Sequence, residues 1–222
     1  MSARDEILSN IRHSLGVTGR EASRRANVRH RLETRPTGVI PARGQGDAGG
    51  RLARFMEEAR RVSATVLVLE NATDVAAEIA RYLTEAGLPL TIRTGEDARL
   101  AALEWGKAGL TVTRGASRGD DLTAVSHAFA GVAETGSVVV LSGPNNPATL
   151  NYLPDNHIVI LSRADLQGDL EAVWALLRTA VGGEPPPRTV NIITGPSRSA
   201  DIEQTLLLGA HGPRSLAVLV TP

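Results

Sequence analysis

The sequence predicts an α/β protein: an open, mostly parallel sheet with helices on both faces, joined by an antiparallel ribbon. Three observations carry this. From residue 64 to residue 113, short apolar runs alternate with helical patterns, as crossover-connected parallel strands require. Ala64–Leu69 is a nearly continuous apolar run, the mark of a strand buried on both faces. Residues 122–141 then break the rhythm, with two apolar segments, hardly any helical signal and only Ala130-Gly131 between them. Adjacent strands joined that tightly form a hairpin or bent ribbon.

The elements follow in order. Ser2 is placed to cap a helix running to about Leu15, with Ile7, Ile11 and Leu15 on one narrow stripe suited to docking on the body or on another subunit. Gly16 to Gly50 is rich in Arg, Gly and Pro without periodicity, and reads as an irregular linker or wrapping arm. A helix begins near Asp47 and buries Leu52, Phe55, Met56 and Ala59. After the strand at 64–69, Thr73 caps a helix through Leu83 that closes at Gly87. A strand over Leu88–Ile92, a weak helix over Ala98–Trp105 and a strand over Leu110–Thr113 come next. Beyond the ribbon lie a strand at His157–Leu161, a helix at Asp169–Ala180, a strand at Val190–Ile193, a helix at Ser199–Leu208 and a last strand at Leu216–Val220. Residues 1–46 thus form an N-terminal helix and basic arm, and residues 47–222 the α/β domain.

Composition excludes several function classes. No apolar run approaches the ~18 residues of a membrane span. The acids near the start, Asp5 and Glu6, do not suit a signal peptide, so the expected location is cytoplasmic. With no cysteine, the chain has no disulfide, cysteine-ligated zinc or thiolate chemistry of its own. Aromatic residues are 3% of the chain, too few for base-stacking platforms, and nucleic acid is not an expected partner. The zero net charge is uneven: residues 1–46 carry nine arginines against four acids, leaving the remainder acidic. That suits a solvated arm lying on its own acidic body or on a partner subunit, with nucleic-acid binding through the arm the less favoured alternative. The five histidines show no metal-ligand spacing.

Candidate chemistry lies in five places. Thr194-Gly195-Pro196-Ser197-Arg198-Ser199 joins an apolar strand to the expected helix, and Gly209-Ala-His211-Gly-Pro213 follows it. Free backbone N–H groups, a positive helix end and a guanidinium converging there suit an anion, held by Gly195, Ser197, Arg198 and Ser199. His211, between glycines, is the best functional histidine, whereas His157 reads as structural. Glu134 interrupts an apolar ribbon; it is either a cleft carboxylate acting as nucleophile or base, or a surface-facing residue at a bulge before Gly136. Asn145, in Ser142-Gly-Pro-Asn-Asn-Pro147, either helps to hold a carbonyl or carboxylate or belongs to an ordinary loop. Gly44-Gln-Gly-Asp-Ala-Gly49 spells a dinucleotide fingerprint, but what precedes it is no buried strand, and it reads as flexible linker.

Ala133-Glu-Thr-Gly136, Leu153-Pro-Asp-Asn-His157, Gly195-Pro-Ser197 with Ala200-Asp-Ile-Glu203, and Gly209-Ala-His-Gly-Pro213 together resemble the lactate utilization protein C family, built on the LUD domain. Ser199 stands where the commoner form has Thr. The resemblance implies an open α/β fold similar to the ribose-phosphate isomerase and coenzyme A transferase group. It also implies a role in oxidising L-lactate to pyruvate, with iron–sulfur clusters in partner subunits and no cofactor in this chain. Glu134-Thr-Gly136 further resembles the glutamate motif of coenzyme A transferases. A stand-alone transferase or isomerase, or a non-catalytic interaction subunit, is the alternative.

Overall fold

A computed structural model describes residues 2–199 and 207–222. The chain divides into two compact units, residues 1–39 and 40–222. The first holds α1 (Ala3–Ser14) and α2 (Ala22–Thr34). Ser2 caps α1 in a reciprocal capping box with Asp5, as its position in the sequence foretells. The second helix corrects the reading of residues 16–50 as irregular. Ala and Arg are good helix formers, but neither helix buries a residue, so α2 leaves no apolar period to find.

In the second unit, α3 (Ala48–Arg61) is capped by Asp47, whose carboxylate accepts from the Gly50 amide at 2.7 Å. It leads into a six-stranded, wholly parallel sheet. That sheet is ordered β1 (Thr65–Val68), β12 (Ser215–Thr221), β7 (Asn156–Ser162), β4 (Thr123–His127), β2 (Thr91–Thr94), β3 (Thr111–Arg114). Alternate side chains of β7 and β12 face opposite ways. Ile158, Ile160, Ala217 and Leu219 pack with α4 (Val75–Glu85) on one face. Val159, Leu161, Val218 and Val220 pack with Phe55 and Ala59 of α3 on the other. Asp74, not Thr73, precedes α4, and no side chain caps it; a 3-10 turn over Ala72–Asp74 takes up the entry. The helix expected over Ala98–Trp105 is one turn, α5 (Ala98–Ala101), then a 3-10 turn.

The antiparallel ribbon exists, but its turn lies elsewhere. β5 (Ala130–Val132) pairs with β6 (Ser137–Leu141), and the chain reverses at residues 133–136, where Gly136 has φ +65°. Gly131 is inside β5 instead of in a turn, because a Cβ there would press on Leu161 and Leu166. With β8 (Leu166–Gln167) and β9 (Val190–Ile193) these strands form a second, four-stranded sheet, against which α6 (Leu170–Val181) packs through Val173.

The helix expected over Ser199–Leu208 is corrected at both ends. Arg198–Ser199 (β10) and Leu207–Leu208 (β11) pair as antiparallel strands. Residues 200–206, with Asp201 and Glu203, lie outside the described residues. Among the described residues no helix is long and apolar enough to cross a membrane.

Candidate functional site

The described parts of the four motifs singled out in the sequence converge at the amino ends of β1, β12 and β7, around the C-terminus of α3; residues 200–203 lie outside the described residues. Val62 caps that helix, and its carbonyl is one of those a helix end leaves unpaired. The Arg198 guanidinium donates to it, placing a cation at the negative helix end. Gly195, at φ +77°, lies so close that a Cβ would overlap the same oxygen. Gly136 approaches the previous turn equally closely, at the Ala59 amide. A hydroxyl chain ties these turns together: Thr135 Oγ1 lies 2.7 Å from Ser137 Oγ, which lies 2.6 Å from Thr194 Oγ1.

Ser197 fastens the two glycine turns to each other. Its N–H donates to the Pro213 carbonyl (2.8 Å), its own carbonyl accepts from the Gly209 amide (3.0 Å), and its Oγ accepts from the His211 amide (3.2 Å). The Leu153–His157 motif joins from β7. The Asp155 carbonyl accepts from the Arg214 and Ser215 amides, and its carboxylate lies 3.5 Å from Arg214 Nε. Ser215 Oγ donates to Asn156 Oδ1 at 2.6 Å.

Beside this junction lies a pocket of about 250 Å³, lined by Ser63, Thr65, Arg198, Arg214 and Ser215 among others. Among the described residues, two guanidinium groups stand against one nearby carboxylate, Asp155, so these side chains give its wall a positive balance. Ser63 has φ +67°, a conformation in which glycine is unstrained, yet a hydroxyl-bearing residue stands there against the pocket. The donors at this place differ in kind from those expected. The Ser197 and His211 amides are occupied in latching the turns, so the donors free for an anion are side chains. Ser199 is tied into β10, and the His211 residue is exposed.

Glu134 is buried, 5% exposed, and is not the surface-facing residue of one reading. Its Oε1 accepts from the Leu170 N–H at 3.2 Å, at the start of α6, where Asp169 takes the Ala172 amide at 2.9 Å. Two carboxylates thus satisfy two of the donors a helix start leaves free. Gly44 lies against Glu134 and the Gly168 carbonyl with no room for a Cβ, and Gln45 Nε2 donates to Asp169 at 2.8 Å. The 44–49 segment is therefore packed in place at its start and is not a loose linker; the fingerprint's first glycine serves close packing.

Asn145 is not part of this junction. It lies at the carboxyl edge of the parallel sheet, about 20 Å along β7 at ~3.3 Å per residue. There a cleft of about 510 Å³ is lined by Asp97, Arg99, His127, Ser142, Asn145 and Asp165, among others. Sequence reading did not assemble this group, because its members lie at or after the ends of four strands, β2, β4, β6 and β7, far apart in the chain. The available signal was that Asp97, Arg99, His127 and Asp165 sit at or just after the carboxyl ends of parallel strands, where open α/β sheets bind ligands; Ser142 and Asn145 follow the antiparallel β6.

The comparisons with known proteins bear on the same stretch. Residues 122–221 match the family model described as the LUD domain. A lactate utilization protein C of Geobacillus sp. (strain WCH70) is 36% identical over 90 residues, 40% of this chain and 37% of that protein. The lactate utilization protein C of Halalkalibacterium halodurans is 41% identical over 83 residues, 37% of this chain and 36% of that protein. An uncharacterized protein of Neisseria meningitidis serogroup B is 37% identical over 99 residues, 42% of this chain and 40% of that protein. The chain thus spans two fifths or less of the length of these relatives. A crystal structure of a DUF162 family protein from Deinococcus radiodurans superposes with a TM-score of 0.57 at 21% identity, covering 80% of this chain and all of that one, and shares the fold. Residues 122–221 of this chain belong to the LUD domain family.

Proposed function

We propose that this chain acts in lactate utilization as the substrate-handling, cluster-free subunit of an L-lactate-oxidising assembly. The observation that carries the site is the small pocket beside the junction of the motif turns, with Pro196, Arg198 and Arg214 in its wall. A small carboxylate fits its volume and sign, and planar guanidinium groups pair with carboxylates in two-point geometry. The chain has no cysteine, so thiolate-held iron–sulfur clusters, and the electron transfer they support, belong to partner subunits. The relatives' names supply the substrate class. His211 is the base candidate beside this junction. A stand-alone transferase using Glu134 draws less support, since that carboxylate is bonded to the α6 N-terminus and lines neither cavity described above.

The test is a native pull-down of the tagged full chain from cells grown on L-lactate, with the eluate assayed for lactate-dependent dye reduction. Iron–sulfur proteins that co-purify with activity, and activity that falls about tenfold or more with Arg214→Gln, support the reading. A lone, inactive protein contradicts it.

A further inference from the structure

The carboxyl-edge cleft differs from the amino-edge pocket in size, sign and donor set, and the lactate reading does not use it. The geometry points to a second small-molecule site there, one that takes a small organic ammonium ion with an apolar body. Asp97 Oδ1 and Oδ2 accept from Arg99 Nε (3.0 Å) and Nη2 (2.7 Å), so the one guanidinium in the wall already has its counter-charge. Asp165 enters from the turn after β7, is half-buried, and makes no ion pair among the described residues. His127, the last residue of β4, donates from Nδ1 to the Ala128 carbonyl at 3.0 Å. A carbonyl can only accept, so the proton is on Nδ1 and Nε2 keeps a lone pair. Burial, and then the Arg99 charge, push its pKa below the usual imidazole value, which keeps the ring neutral at pH 7.

The polar wall therefore offers acceptors with one uncompensated negative charge, while Phe129, Leu141 and Leu176 supply an apolar side. A carboxylate meets the wrong sign here, and an ammonium meets Asp165 and an imidazole nitrogen.

The loop over the cleft is fixed by a hydrogen-bond chain whose direction is determined. Asn146 Nδ2 donates to the Leu141 carbonyl at 3.3 Å, which turns Oδ1 toward Ser126. Ser126 Oγ must then donate to Asn146 (2.8 Å) and accept from His157 Nε2–H (3.0 Å). Gly95 lets this loop approach, since a Cβ there would overlap the Asn145 carbonyl oxygen. A site held by buried side chains from β4, β7 and the loop is pre-formed, as small-molecule sites usually are.

The experiment is an amide-resolved NMR titration of the full chain at pH 7 with n-butylammonium, L-lactate and glycerol in separate arms. Butylammonium is expected to shift the amides of His127, Gly143 and Asn146. Asp165→Asn is expected to weaken that binding tenfold or more. Leu176→Trp, which narrows the cleft without touching a charge, is expected to abolish it; Arg198→Gln leaves it unchanged. The proposal is overturned if butylammonium leaves these amides unmoved. It is equally overturned if lactate or glycerol shifts them as strongly, or if Asp165→Asn binds as wild type does. None of these outcomes bears on lactate at the amino edge, where Ser63, Arg198 and Ser215 report instead.

Discussion

Replacing Glu134 separates a structural carboxylate from a chemical one. In Glu134→Ala the Leu170 N–H loses its acceptor at a partly buried helix start. Leaving a donor unsatisfied there costs about 1–3 kcal/mol, and removing a charge from a helix N-terminus costs roughly 0.5–2 kcal/mol more. The sum is about 3 kcal/mol. Glu134→Gln keeps an oxygen able to accept from Leu170 and loses only the charge, for roughly 1 kcal/mol. Urea unfolding of the purified full chain, read at α6 and globally, measures both. The account expects Ala to be clearly worse than Gln, with lactate-dependent activity of the assembly following the folded fraction. Wild-type stability in both variants, with activity lost in both, would refute it and return Glu134 to the role of nucleophile or base.

Other expectations are as direct. Burial alone pushes the His157 imidazole down to about 4, whereas an unfolded histidine titrates near 6.5. Below pH 6.5 the unfolded chain binds a proton that the folded chain refuses, so stability is complete above that pH and falls toward pH 4. The loss reaches about 2 kcal/mol by pH 5, and His157→Gln is expected to remove that part of the pH dependence in urea melts. Gly136→Ala combines a left-handed φ with overlap onto the α3 backbone, for at least about 3 kcal/mol; normal expression and melting of that variant would contradict the packing. Ser63→Gly relieves a left-handed serine by about 1 kcal/mol. It also removes a hydroxyl from the amino-edge pocket, so a higher melting temperature with weaker lactate binding is expected.

What could be read from the sequence was what local chemistry decides. The apolar runs gave the parallel strands because both faces of that sheet are buried, and Ser2, Asp47 and Asp169 marked helix starts because each bonds an amide two or three residues on. The misreadings share a cause: distant packing. Gly131 signals a turn locally but is in a strand because Leu161 and Leu166 leave it no Cβ. Gly44 belongs to a segment that reads as linker until Gly168, more than a hundred residues on, packs against it. The α2 helix escaped notice because nothing in it is buried. At the site, the motifs were visible one by one, yet that Ser197 joins the glycine turns and consumes their amides depends on where β12 returns. The Asp97, His127 and Asp165 cluster is assembled by strand order alone.

The central claim, that this LUD domain holds a small carboxylate at its amino edge, is tested most directly by titrating L-lactate into the isotope-labelled full chain. The account predicts saturable shifts at Ser63, Arg198, Arg214 and Ser215, lost in Arg214→Gln and absent from Gly143 and Asn146. Unmoved amides at the amino edge under saturating lactate would contradict it.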